Sequence, residues 1–532
     1  MSENLAATSR PSQVVGAGAA ALGGRQRTRN AIAFYAPVCA ALIGAGWLVD
    51  GGPVAMAAAG MAAALVAALV LQLPFAQLAQ GAVLVATAAL LEANLAQLGL
   101  AGRLWGIAAV AVCLLVFALA PLPSLAAFPL LHLFCLVQAL YLLVSVLLSR
   151  RPPGYETRFS DQMRADGFAL TLVFMGVLVL AGATATRLFT VNRFQAVVPE
   201  RTSTSRAVAT MVFGAFVSIA VRASSLGPRL GAIVELVNLI PLLGGMALVD
   251  LWIRGNLALR FKVGLVAAAV TYALAGVGTG LLYAAAGPFI GALALVVARR
   301  RRIPWALLAA VMVALVLLNA GKAEFREQYD RAAPASGIAR GPAYVANTVR
   351  TVPELGSTSI AESAYRFSTS DVLGYMRQHV PERYPYWDKR TYASLPLAVV
   401  PRVIVPFKPR LDFSNEFGRQ YGILDYNDDI TSQNIPLSVE AYVNFGIPGL
   451  VVVAAIVGAF LAWVGSLSRA SRTSDVILGA LIASQALASI ESGVTKLSLV
   501  VPFLFLLRPV ARWIVPAIPT SAPSGRDLAA TA

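Results

Sequence analysis

A chain of 532 residues in which 58% are hydrophobic and only 13% charged cannot cover the surface of soluble domains, which carry roughly 25% charged residues; lipid has to cover it instead. The formal net charge of +16 would point to nucleic acid in a soluble protein. Here the cations stand in short clusters between apolar runs, which is the loop pattern of a multi-pass membrane protein, so nucleic acid is excluded as a partner.

Residues 1–30 are polar, with Arg10, Arg25, Arg27 and Arg29. No short apolar core with a cleavage site follows them, so a removable signal peptide is not expected. A spanning helix needs about 20 mostly apolar residues. Eleven runs of that kind fill residues 31–319: 31–49, 53–73, 81–98, 105–120, 126–148, 167–186, 205–221, 230–253, 263–280, 281–298 and 303–319. Glycines near the middle of 263–298 make that stretch a tight helical hairpin. Three more spans, 446–466, 475–490 and 497–515, follow a long polar segment, and 516–532 is a cytoplasmic tail. The expected fold is all-α and polytopic, with about fourteen spans. Cys39, Cys113 and Cys135 all lie in apolar runs, which argues against a disulfide framework. His132 and His379 are far apart in the chain, and no His/Cys cluster has metal-ligand spacing. No metal or cofactor is expected.

The arginine run Arg299–Arg302 is expected on the cytoplasmic side. Counting spans outward places Arg254, Arg260, Lys262, Arg469, Arg472 and both termini on that side too. The polar segment 320–445 then lies outside, in the periplasm of a Gram-negative cell, and the protein sits in the bacterial inner (plasma) membrane. Arg150, Arg151, Arg158 and Arg164 also land outside, against the usual bias. Either a span is miscounted or those arginines have a role there.

Residues 322–445 contain 14 Lys+Arg and 14 Asp+Glu, so the loop is neutral and the whole cationic excess lies elsewhere. Ten of the 15 tyrosines fall in it. A connection of this length is usually functional. Ser370–Val380 reads as a short helix capped by Ser370 or Asp371. Residues 391–407 are apolar but broken by Pro396, Pro401 and Pro406, which forbid a regular spanning helix and leave a re-entrant or interfacial segment. Pro436 is placed to open a helix leading to the next span.

Arg402 is the most informative residue. It sits in VVPRVIVPFKPR, with Lys408 and Arg410 just after it. An ionisable group at membrane depth is costly and marks function by default, and an arginine fork grips phosphate oxygens in pairs. The plainer alternative is a side chain that snorkels to lipid headgroups. Arg222 and Arg229 flank an external turn between two spans and would form the other half of an anion clamp, or an ordinary headgroup contact. His379 is a candidate base near neutral pH, or a solvated surface histidine. Glu440 stands just before a span and is a candidate base, or a helix-end salt-bridge partner. Asp425, Asp428 and Asp429 fit a turn of solvated carboxylates better than a metal site. Tyr386 and Trp387 could stack on sugar rings, or belong to an interfacial aromatic belt.

The layout, many spans with one large external loop before the last few, resembles the bacterial oligosaccharide repeat-unit polymerases, also called O-antigen polymerases, and their relatives the O-antigen ligases. Three stretches carry the likeness: LPLAVVPRVIVPFKP at 395–409, SVEAYVNFGIPGL at 438–450 and SIAVRASSLG at 218–227. The resemblance implies a GT-C-like helical fold. It also implies metal-free transfer of a glycan from a polyprenyl diphosphate carrier to a hydroxyl of another lipid-linked glycan. Carried over by residue, Arg222 and Arg402 match the arginines that hold the diphosphate, and His379 is only a candidate for the ligases' loop histidine. The pattern around His379 departs from the ligases, which favours a polymerase. The partners so implied are the lipid-linked oligosaccharide, membrane lipid, and a chain-length regulator and a flippase of the same pathway. Beside a scaffold that binds other envelope proteins through its loop, two other readings stay open. One is a transferase using a polyprenyl monophosphate sugar, with Asp50 as its acid. The other is a polysaccharide transporter, although paired charges within the spans and repeated halves are both missing.

Overall fold

Long apolar runs leave the backbone one way to satisfy its polar groups inside lipid, the α-helix. The computed structural model describes residues 129–147, 159–190, 200–224, 230, 232–277, 282–300, 304, 308, 311, 313–314, 317–318, 337–351, 369–400, 402, 404–405, 413–428, 433–467 and 472–518. Among them the regular structure is entirely helical. The expected spans 31–49, 53–73, 81–98 and 105–120, and most of 303–319, lie outside the described residues.

Six long helices come first: α1 (Leu130–Leu147), α2 (Asp161–Thr190), α3 (Thr204–Ala223), α4 (Ala232–Ile253), α5 (Leu259–Val277) and α6 (Leu282–Arg300). The polar segment holds α7 (Gly337–Thr351), α8 (Thr369–His379), α9 (Arg390–Ala393), α10 (Leu395–Val399) and α11 (Ser414–Gln420). Three long helices end the order: α12 (Leu437–Leu467), α13 (Thr473–Ser492) and α14 (Val494–Ile514). Seven helices among the described residues are long and apolar enough to cross a membrane, namely α2, α3, α4, α5, α12, α13 and α14. The expected hairpin at 263–298 is the pair α5 and α6, which pack on each other.

The hub is α13, packed on by α14, α6, α4, α1 and α12 and buried along most of its length. By contrast, Val212, Phe213, Phe216 and Ile219 on α3 are all more than half exposed. An apolar stripe of that size is suited to lipid rather than water.

The 31-residue helix α12 is broken at Gly446, whose φ of 67° and ψ of −158° belong to a region open in practice only to glycine. The break leaves residues 447–467 as the spanning part. It sets 437–445 apart as a stub, at the boundary expected between loop and span.

The polar segment folds as a cap built on its own aromatics. Trp387 donates Nε1–H to Gln420 at 2.6 Å and its backbone N–H to the Val443 carbonyl at 2.8 Å. Around it stand Phe413, Phe417 and Tyr421, with ring centroids 5.6–5.9 Å away. The cap is fastened to the bundle through α8, which crosses α2 with Gly167 and Gly374 face to face. A Cβ on Gly374 would collide with the Met163 carbonyl, and one on Gly167 with the Ser370 carbonyl. Beside this crossing Arg164 pairs with the buried Asp371 at 3.4 Å. Arg164, whose expected side went against the usual bias, has a partner here: it anchors the cap.

Gly374→Val is expected to force the two helices apart. Overpacking of this kind costs about 1–3 kcal/mol, and separation would also strand the Asp371 carboxylate. The check is a lower thermal midpoint in detergent, with faster protease cleavage in residues 369–400 than in α13. An unchanged midpoint would mean that the crossing is not tight.

Candidate functional site

Polar contacts sort the helix ends into two groups. At one end, Asp250 of α4 pairs with Arg254 at 3.0 Å and with Arg299 of α6 at 2.6 Å. At the same end Ser474 of α13 donates its N–H and its hydroxyl to Glu200, at 2.9 and 3.0 Å. The segment before α3 meets the end of α14 through Ser203 N–H to the Ile514 carbonyl at 3.0 Å. At the opposite end lie the cap, the start of α12, the α13–α14 turn, and the Arg164 end of α2. The candidate site is at this cap end.

Its centre is the turn between α13 and α14, a single residue, Gly493, with φ 71° and ψ −168°. The first N–H groups of a helix lack partners within the helix and carry partial positive charge. Glu440, 3% exposed on the 437–445 stub of α12, accepts the Val494 N–H at 2.6 Å. A side chain on Gly493 would strike that carboxylate. Three residues further on, Lys496 pairs with Glu235 in the first turn of α4 at 2.8 Å. Before the turn, Glu491 accepts one bond from the Tyr141 hydroxyl of α1 and another from Asn434 Nδ2 at 3.1 Å. Six residues of turn thus tie together α1, α4, α12 and the cap.

The proline-broken segment lies against this turn. It consists of α9 and α10, and both pack on α14. Helix α10 ends at Val399, and Arg402 follows in a turn, half-buried. Asn444 donates to the Thr391 hydroxyl at 3.0 Å, and Tyr392 packs on Phe445 with centroids 5.1 Å apart, which joins α9 to α12. The covered Tyr392 hydroxyl has no hydrogen-bond partner. Burial, and then the charge of Glu440, push its phenol above the usual tyrosine range, so it stays a neutral hydroxyl.

Arg222 reaches this end by register. Helices α3 and α4 run antiparallel, with Gly214 opposite Ile240 and Pro241, and Ser218 bonded to Asn238. Continuing that register sets the backbone of Arg222, in the last turn of α3, level with the first turn of α4, where Glu235 meets Lys496.

The other expected site residues divide clearly. The ring of His379 stacks on Tyr375 with centroids 4.2 Å apart, and its Nδ1 lies 2.9 Å from the Tyr375 carbonyl. A carbonyl only accepts, so Nδ1 carries the proton and Nε2 is the basic nitrogen of the neutral ring. Tyr386 is 37% exposed and stands over the break at Gly446. Trp387 is 5% exposed and its ring is enclosed by cap side chains, so its place is the cap's core and not a sugar-stacking face. Asp425 accepts the Asn427 N–H at 2.9 Å and belongs to a turn, as expected. Arg229, Lys408, Arg410, Asp429 and Asp50 lie outside the described residues. Among the described residues no three His, Cys, Asp or Glu side chains come together as a metal would require.

Sequence reasoning missed Glu491, Lys496, Glu235 and Tyr141. The first two interrupt the apolar stretch ALASIESGVTKLSLV, and Glu235 interrupts AIVELVNLI. Ionisable residues inside such runs are a legible signal in their own right.

This architecture, helical throughout the described residues and with seven helices of spanning length, is that of a multi-pass membrane protein. Comparison with protein-family models, curated proteins and solved structures finds no match to this chain.

Proposed function

We propose that the protein is a membrane glycosyltransferase of the GT-C-like kind that polymerises lipid-linked oligosaccharide repeat units. In this reading it lies in a bacterial inner membrane, with its cap on the external face. The observation that carries the reading is the gathering of the Arg402 segment, the Arg222 end of α3 and the Glu440-capped start of α14 at one end of the bundle, beneath an aromatic cap. It is supported by the resemblance of the three stretches that supply those residues.

The reaction is a displacement at an anomeric carbon. An acceptor hydroxyl oxygen forms the new bond to that carbon, and the bond from the carbon to the carrier's diphosphate oxygen breaks. The electron pair leaves with the diphosphate, and the hydroxyl proton passes to a base. Charge grows on the diphosphate, and cations fixed in a low-dielectric site stabilise it without reorganising. Arg402 and Arg222 have that role. Glu440 and His379 are the candidate bases, and Tyr392, held as a neutral hydroxyl, can orient groups by hydrogen bonding but not take the proton.

The test is complementation of a strain lacking the native gene, with glycan chain length read on gels and membrane levels checked by blotting. Arg222→Ala is expected to abolish long chains at normal protein level. Glu440→Gln keeps an oxygen for the Val494 N–H. If Glu440 is the base, chains disappear with little change in thermal midpoint. If it only caps α14, chains persist and the midpoint falls, by about 0.3–1 kcal/mol in stability. Normal chains in Arg222→Ala at normal level would refute the proposed diphosphate site.

A further inference from the structure

The end of the bundle opposite the cap has a charge arrangement that the proposed transfer does not use. Its acids, among the described residues, are Glu200, Asp250 and Asp475, and each is turned inward. Asp250 is fully buried between Arg254 and Arg299. Asp475 is 3% exposed and pairs with Arg508 at 3.5 Å, while Arg508 also donates to the Leu467 carbonyl at 2.7 Å. Both oxygens of Glu200 accept from Ser474. The cations are more numerous, and Arg201, Arg260, Arg300 and Arg512 are all exposed. Among the described residues, the outer surface of this end is therefore predominantly cationic.

Aromatic rings hold Arg260 and two further, half-buried cations of this end, Arg206 and Lys262, in place. Arg206 lies over Trp513, with 5.5 Å from guanidinium carbon to ring centroid, and also donates to the Trp513 carbonyl at 2.9 Å. Arg260 lies over Phe261 at 4.9 Å, and Lys262 over Trp252 at 5.9 Å. Trp252 and Trp513 are 42% and 49% exposed. Tryptophan half in protein and half out, at the ends of apolar helices, marks the headgroup level of a bilayer. Cations stacked on such rings lose less freedom on meeting an anion than cations on free stems.

We propose that this end of the bundle is a binding surface for anionic phospholipids, whose phosphates pair with the outward guanidiniums while Trp252 and Trp513 sit among the headgroups. A lipid is the occupant that fits, because the cations ring the ends of helices whose sides are apolar, so the anion must come with an acyl chain alongside. Arginine–headgroup pairing at this level is a surface effect that falls within a Debye length.

The experiment uses the full chain purified in detergent and exchanged into bilayer discs of phosphatidylglycerol, of phosphatidylcholine, or of an equal mixture. Lipid retained after re-extraction is counted by native mass spectrometry. From the mixture the protein is expected to retain phosphatidylglycerol several-fold over phosphatidylcholine, and high salt should reduce that preference. The triple variant Arg201→Gln, Arg260→Gln, Arg512→Gln should lose the preference, while the corresponding triple lysine variant keeps it. No preference in the unaltered protein, which does not depend on any variant folding, would overturn the proposal. So would a glutamine variant that retains phosphatidylglycerol like the parent, or preferential capture of an RNA oligonucleotide over phosphatidylglycerol discs.

Discussion

Replacing Arg402 by alanine is expected to abolish long glycan chains while the protein still inserts and accumulates. Arg402 does not ride on a free loop. It follows directly on α10, whose Leu395–Val399 turn packs on α14, and it is half-buried in the turn that comes next. A cation held in so apolar and proline-broken a segment is costly unless an anion compensates it, and the proposed anion is the carrier diphosphate. Loss of one such electrostatic donor lowers turnover by roughly a hundredfold or more. Arg402→Lys keeps the charge and loses the paired fork, so turnover should fall only part of the way. The measurement is chain length on gels in the complemented strain, alongside the blotted level of each variant. Normal chains from Arg402→Ala at normal level would make Arg402 a headgroup anchor and remove it from the reaction.

The largest effect on stability is expected from Gly493→Ala. The backbone there lies where only glycine is comfortable, and forcing another residue into such a conformation costs about 1–3 kcal/mol. The new methyl would also meet the Glu440 carboxylate. If the carboxylate moves away, the buried charge-assisted bond to the Val494 N–H goes with it, about 1.5–3 kcal/mol more. Together these predict a loss of about 2.5–6 kcal/mol, visible as a lower thermal midpoint and a smaller folded yield. A second substitution separates the parts. With Glu440→Ala already in place there is no carboxylate to strike, so Gly493→Ala should then show only its backbone cost. Costs that add without coupling would show that the two residues do not oppose each other.

Several features were legible because each depends on local chemistry. The prolines after residue 395 announced that no spanning helix could run through 391–407, and the chain breaks there into α9 and α10. The apolar run from residue 446 was read as a span, and the backbone turns at Gly446. The helix expected at 370–380 is α8 at 369–379. Arg254 and Arg299, expected on one side of the membrane, share Asp250 at one bundle end. What stayed hidden were pairings between distant parts of the chain. Arg164 looked misplaced because its partner Asp371 is some two hundred residues away and carries no local mark. Trp387 looked like a sugar platform because a sequence displays an aromatic without showing which rings enclose it. Glu440 was found as a carboxylate at a membrane edge. Its attachment to the start of α14 depends on the one-residue turn at Gly493, whose positive φ no pattern of hydrophobicity reveals.

The α13–α14 hairpin receives its caps from outside itself, Glu200 at the start of α13 and Glu440 at the start of α14. Both carboxylates belong to stretches that the ribosome makes earlier, and both wait for partners that are made last. The hub helix on which α1, α4, α6 and α12 close is also among the final pieces to enter the membrane. Assembly therefore cannot finish piecemeal from the N-terminus as helices leave the translocon. The earlier helices must remain loosely gathered until the hairpin is delivered, and its arrival closes both ends of the bundle, at Glu200 and at Glu440, in a single event.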